Sequence, residues 1–243
     1  MAPTFPVSVV DFVNAWPLTW GFLRGAVEEV QPITDIPSAC AERLARGEVA
    51  AGLVPSIEAA RIPGIRVVRG VGIASYTRVR SVLLVSRLPF EEIRSVALDT
   101  SSRSSAAMVR ILLEDLYEVT PDYHRAVPDL GEMLAHHDAA LLIGDPALAA
   151  SLQGHHVLDL AEAWNRLTGL PFVFAVWAVR REVPPEPFLW SRDYARHRMG
   201  EILDADDERG LAEFFRRAAA HGLIPSADLP PFAGVPLVPR SFS

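Results

Sequence analysis

The residues best suited to chemistry sit in short turns, each following an apolar run. Most prominent is Asp99-Thr100-Ser101-Ser102-Arg103-Ser104-Ser105, which leads from Val96–Leu98 into a long segment of helical period. Hydroxyls placed there can donate hydrogen bonds, and the free backbone N–H groups of a helix start add more. The helix dipole favours an anion in the same place, so Thr100, Ser102, Ser104 and Ser105 read as a cradle for a carboxylate. A second turn, Asp11-Phe12-Val13-Asn14-Ala15-Trp16-Pro17-Leu18, follows Val7–Val10. Its Asn14 offers a donor and an acceptor without charge, which suits a hydroxyl or an enol ether. An Asn before a helix also serves as a cap. Ser56 after Val49–Val54, and Gly144-Asp145 after Ala139–Ile143, close two further strand–turn junctions. Gly144 permits a tight turn, Pro146 starts the next helix, and Asp145 beside them also suits an N-cap.

Other chemistries are excluded by what the sequence lacks. All 23 cationic residues are arginine, so Schiff-base chemistry and lysine-anchored pyridoxal phosphate have no residue to use. Cys40, the lone cysteine, cannot form an internal disulfide and reads as a small core residue of its helix. The pairs His136-His137 and His155-His156 have no carboxylate at ligand spacing on the same face, so no metal is expected. No serine or cysteine has a His/Asp partner set, and neither a phosphate loop nor a dinucleotide fingerprint is present. Arg78, Arg80 and Arg103 can each pair with an anion, although a solvated guanidinium is the plainer reading. The residues thus describe a cofactor-free cleft for a small polar anion.

The elements that must position these turns alternate between short apolar runs and helical periods, the pattern of an α/β protein. Half of the 243 residues are hydrophobic and 22% are charged, which excludes a disordered chain. A net charge of −7 argues against a general nucleic-acid or membrane-surface binder. The opening MAPTFPVSVVDF has no cationic start or long apolar run, and no stretch approaches ~18 uninterrupted apolar residues, so a cytoplasmic chain without a transmembrane helix is expected. Strands are predicted at Val7–Val10, Val49–Val54, Val82–Val85, Val96–Leu98, Ala139–Ile143 and Phe172–Val179. Helices are predicted over Asn14–Arg24, from an N-cap at Ser38 to Arg46, over Ser104–Tyr117, and from an Asp129 cap to His137. The remainder to about Gly222 reads as mostly helical.

Two parts of this map repeat. Val9-Val10-Asp11 matches Ala97-Leu98-Asp99; the strand led by Pro32 matches one led by Pro121; Pro37-Ser38 matches Pro128-Asp129; and Ala51–Ser56 matches Ala140–Asp145. Four matches in one order at a nearly constant offset imply two similar β-α-β-α-β lobes. In parallel α/β sheets the ligand binds beyond the carboxyl ends of the strands, so all four turns would line one cleft if the lobes face each other. The strands Val82–Val85 and Phe172–Val179 stand where the chain would cross between lobes. This is the plan of a type II periplasmic-binding-protein-like fold, a hinged two-lobe trap. Residues 1–83 with 174–243 would form one lobe, and residues 84–173 the inserted other.

At these turns the sequence resembles the chorismate dehydratases of menaquinone biosynthesis by the futalosine pathway. The resembling stretches are Val10–Leu18, Leu53–Ser56, Ala97–Ser105, Ile143-Gly144-Asp145 and Thr168–Trp177, in the family's order. The resemblance implies dehydration of chorismate to 3-enolpyruvylbenzoate without a cofactor. It marks Asn14 as the group touching the reacting region. It marks Ser56, Ser81, Thr100, Ser102, Arg103, Ser104, Ser105, Gly144 and Asp145 as binding the carboxylates and polar edges. A sister family that forms a dihydroxynaphthoate begins with a Ser-Pro-Cys-Pro-Asn-Asp type motif, whereas here the first strand runs into Phe12-Val13-Asn14. A non-catalytic carboxylate-binding protein would share the fold but carry an export signal. A ligand-sensing regulator would carry a DNA-binding helix pair as well.

Overall fold

Val7, Val9 and Val10 are all buried, as expected of a strand covered on both faces of a layered sheet. They belong to β1 (Phe5–Val10), and the computed structural model describes residues 4–12, 15–189 and 203–234 around it. β1 is followed by α1 (Trp16–Leu23), β2 (Val30–Asp35), α2 (Pro37–Arg46), β3 (Ala51–Pro55) and the long β4 (Ile65–Ser75). Then come β5 (Val82–Ser86), β6 (Ser95–Asp99), α3 (Ser104–Tyr117), β7 (Asp122–Ala126), α4 (Leu130–His136) and β8 (Ala139–Ile143). The order closes with α5 (Gly144–Ala149), β9 (His156–Asp159), α6 (Leu160–Thr168), β10 (Phe172–Arg180), α7 (Ala205–Ala220) and the short β11 (Phe232–Ala233).

Among the described residues these strands form two sheets, one ordered β11-β4-β10-β3-β1-β2 and the other β7-β6-β8-β5-β9. β1 pairs in parallel with β2 and β3, and β6 pairs in parallel with β7 and β8, so the internal repeat is the repeat of the sheets. Each half then receives an antiparallel neighbour, β10 beside β3 and β5 beside β8. The architecture is that of a type II periplasmic-binding-protein-like fold. β5 and β10 each lie within one sheet, and the chain changes sheet just before them, at residues 76–81 and 169–171. The boundaries drawn at 83/84 and 173/174 therefore fall inside these two strands.

Both crossings are tied down by side chains. Asp159 is 4% exposed, and its Oδ2 accepts hydrogen bonds from the backbone N–H groups of Val79 (3.0 Å) and Arg80 (2.8 Å). Its Oδ1 accepts from Ala161 N (3.2 Å) and Glu162 N (3.4 Å), capping α6. One carboxylate thus joins a helix start to the first crossing, where Arg80 sits at φ 60, a conformation non-glycine residues rarely adopt. At the second crossing, buried Trp164 donates from Nε1 to Pro171 O (3.1 Å), and Asn165 Nδ2 donates to Leu170 O (3.3 Å). α7 rests on the same segment: a Cβ on Gly210 would stand 2.1 Å from Pro171 O.

Some expectations need correction. α2 begins at Pro37 with Ile36 as its N-cap, because proline's fixed φ suits the first helical turn; Ser38 lies inside the helix, buried. It ends at Gly47 (φ 78), as the sequence implies. Asp129 does cap α4, accepting from Glu132 N (3.0 Å). β4, β9 and α6 were not anticipated, and residues 190–202 of the expected C-terminal helical region lie outside the described residues. Cys40 is buried in the core, and burial pushes its thiol up to about 12.

Asp159→Ala strands four backbone donors, two at a crossing and two at a helix start. It should destabilise the protein by about 2–4 kcal/mol, read from urea unfolding, with Asp159→Asn losing less because one acceptor oxygen remains.

Candidate functional site

The carboxyl ends of β1, β3, β6 and β8 converge on one cavity of about 350 Å³ between the two sheets. One wall is apolar, formed by Phe12, Leu53, Ile73, Ala74 and Phe174. The facing side carries Ser81 from the first crossing and the turn Ser101–Ser105 at the start of α3. The hydroxyls of Ser81, Ser102 and Ser105 have no hydrogen-bond partner among the described residues, and no side chain caps α3. The N–H groups of its first turn therefore remain available, with the positive end of a fourteen-residue helix behind them.

This turn keeps its shape because Asp99, 1% exposed, is consumed locally. Its Oδ1 accepts from Ser101 N (2.8 Å) and Ser101 Oγ (2.6 Å), and its Oδ2 from Ile143 N (3.3 Å). Ser102 N closes the turn onto Asp99 O (3.0 Å). Buried Met108, Ile111 and Leu112 then fix α3 against the core, each with no exposed surface.

Ser104 and Arg103 do something else: they join the two halves. Ile57 N donates to Ser104 Oγ (3.2 Å), and Ser56 Oγ lies 3.1 Å from the same oxygen. Ser56 gives its single proton to Val173 O (2.6 Å), so Ser104 supplies the proton of the Ser56–Ser104 contact. Ser56 is fully buried behind the cavity wall rather than on it. Arg103 lines the cavity, but its terminal nitrogens reach across to Glu42 (2.6 Å) and Glu58 (3.1 Å) in the first half. Glu58 also holds Arg61 (2.7 Å).

Of the other expected site residues, Gly144 (φ 62) lines the cavity, donates to Ser81 O (2.7 Å) and lies against Phe12. A Cβ there would stand 3.1 Å from the Phe12 ring, so the turn's conformation and the close approach both require glycine. Thr100 and Asp145 do not line the cavity. Thr100 is half-buried with its N–H on Ala126 O (3.1 Å), and Asp145 is exposed in the first turn of α5. Asn14 lies outside the described residues, while Phe12 and Ala15, which flank its turn, both line the cavity. Arg78, which the sequence offers as able to pair with an anion but more plainly as a solvated arginine, lines the cavity from the crossing and has no carboxylate partner among the described residues. Its signal is an arginine within a domain crossing. Among the described residues no three His, Cys, Asp or Glu side chains gather at metal-binding spacing, and no helix is long and apolar enough to cross a membrane.

Fold and cavity together define a two-lobe α/β protein of the type II periplasmic-binding-protein-like class. Solved structures agree: protein AF1704 of Archaeoglobus fulgidus superposes with a TM-score of 0.66 at 15% identity, over 91% of this chain and 98% of that one. The aliphatic sulphonate binding protein SsuA of Escherichia coli gives 0.61 at 14%, over 93% and 95%. Within that class, a family described as menaquinone biosynthesis matches residues 6–205, and the chain belongs to it. It is 31% identical to a chorismate dehydratase of Thermus thermophilus over 88% of this chain and 82% of that enzyme. A chorismate dehydratase of Campylobacter jejuni is 28% identical over 68% and 63%.

The cross-cleft ion pairs are unequal. Glu58 is 6% exposed and serves two arginines, whereas Glu42 is 48% exposed. Glu58→Ala should therefore cost about 1–3 kcal/mol and Glu42→Ala under about 1 kcal/mol in chemical unfolding.

Proposed function

We propose that this chain is a cytoplasmic chorismate dehydratase, a hydro-lyase that converts chorismate to 3-enolpyruvylbenzoate and water without a cofactor. The observation that carries the reading is the cavity's pairing of an uncapped helix start and unengaged hydroxyls with an apolar wall, in a chain that belongs to this family. Chorismate is a cyclohexadiene with one carboxylate on the ring and a second on its enolpyruvyl ether arm. The ring suits Phe12, Ile73 and Phe174; one carboxylate suits the start of α3, with Ser102 and Ser105; the other suits the Arg78 guanidinium. The two lobes, divided at the crossings 76–81 and 169–171, close around it and exclude water.

Elimination breaks the C3–H and C4–O bonds of the ring, and the electron pair of C–H completes the aromatic sextet. The proton passes to the enolpyruvyl carboxylate of the substrate, which hands it on to the departing C4 hydroxyl, so that hydroxide leaves as water and the carboxylate regains its charge. Because the product is aromatic, the driving force lies in the substrate, and the protein's work is orientation and anion binding. Asn14 is assigned to the reacting edge, where it holds the hydroxyl or the enol ether. Ser104, Ser56 and Arg103 act by keeping the halves together, with Gly144 setting the close Phe12 contact.

Incubation of purified protein with chorismate should yield a product lighter by one water, and turnover should survive exhaustive EDTA treatment. Unchanged chorismate, or activity lost to the chelator, contradicts the reading. Asn14→Ala should lower kcat about 100-fold, equivalent to about 2.7 kcal/mol, with little change in KM. Arg78→Ala should raise KM with kcat nearly intact, since a carboxylate keeps its charge through the reaction. Steady-state kinetics of the two variants, with thermal melts as a folding control, separates these roles.

A further inference from the structure

On the other side of the α3 start lies a second, smaller cavity of about 250 Å³, which shares Ser102 and Arg103 with the main one and is otherwise lined by residues the proposed reaction does not use. Four arginines line it, Arg61, Arg103, Arg110 and Arg125, together with Ser102 and Leu223. In a chain of net charge −7 this is a local reversal of sign. Arg61 and Arg103 share Glu58, but Arg110 and Arg125 have no carboxylate partner among the described residues; Arg110 instead stacks on the Tyr123 ring at 4.2 Å. Asp99, the one acid on the wall, is committed to Ser101 and Ile143. Arg103 Nε is buried with no acceptor among the described residues. Four arginines around one concave pocket, with Arg61 and Arg103 held by Glu58 and Glu42 but Arg110 and Arg125 without a carboxylate partner among the described residues, leave a positive surplus that matches a compact oxyanion, which a guanidinium can grip by paired N–H bonds.

We propose that this cavity is a second anion site, separate from the main one, that takes a small multiply charged oxyanion, a phosphate ester or a dicarboxylate. Its position gives the occupant leverage over the cleft. Arg61 and Leu223 belong to the half built on the first sheet, and Arg103, Arg110 and Arg125 to the half built on the second. An anion held by both halves binds best when they are together, so it shifts the population toward the closed cleft.

Calorimetric titration with inorganic phosphate and with malonate, at ionic strength held constant with sodium chloride, tests this on the full chain. Wild type and Arg78→Ala should each bind one equivalent of at least one of the two, and the better of them distinguishes phosphate from dicarboxylate. Arg125→Ala, at an exposed side chain, and Arg110→Ala should each weaken that binding at least tenfold. Arg125→Ala should keep the wild-type melting temperature in the absence of anion. No saturable binding of either anion overturns the proposal. So does binding unchanged in Arg125→Ala and Arg110→Ala, or binding lost in Arg78→Ala alone, which would place the anion in the main cavity.

Discussion

A buried carboxylate is costly unless its oxygens are filled with hydrogen bonds, and Asp99 meets that demand with Ser101 and Ile143. Three consequences follow from this one arrangement. The turn between β6 and α3 is fixed, and β8 is locked to the same point. Because the acid is satisfied within the turn, it neither caps α3 nor reaches into the cavity. The first-turn N–H groups of α3 are left for an anion, and Ser102 and Ser105 line the cavity with their hydroxyls unspent. Had Asp99 capped the helix, the same sequence would present a neutralised surface.

The two halves are coupled through the same short stretch. Ser104 receives Ile57 N–H and contacts Ser56, while Arg103 reaches Glu42 and Glu58, so residues beside the anion cradle also hold the cleft closed. On the proposed reading, closure and binding are then parts of one equilibrium. The crossings that permit it are held by Asp159 on one side and by Trp164 and Asn165 on the other, which fixes their ends without filling them.

Much of this was legible in the sequence. α3 was predicted at its observed bounds, because Met108, Ile111 and Leu112 recur at helical spacing behind a serine-rich start. The repeat at an offset near 90 residues gave the two sheets, and the turns after β1, β3, β6 and β8 gave the cavity. β4 was invisible for a physical reason. Arg66, Arg69, Gly70 and Gly72 interrupt its apolar run, and its pairing with β10 shifts register twice. Gly72 belongs there because a Cβ would stand 2.6 Å from Ala175 O. Site residues were harder, since a serine's type does not say where its proton goes. Ser56 and Ser104 share their hydroxyls with each other and the backbone, Arg103 is taken by two glutamates, and Arg78, which no acid among the described residues claims, reads in sequence like any solvated arginine.

The claim on which the account rests is that a substrate carboxylate lies on the start of α3. Backbone amide resonances report this directly, because an N–H that donates to an anion moves downfield. Titrating isotope-labelled protein with 3-enolpyruvylbenzoate should shift the amides of Ser104, Ser105 and Ala106 well beyond those of α7, which stands away from the cavity. Saturable binding that leaves those three amides in place would contradict it.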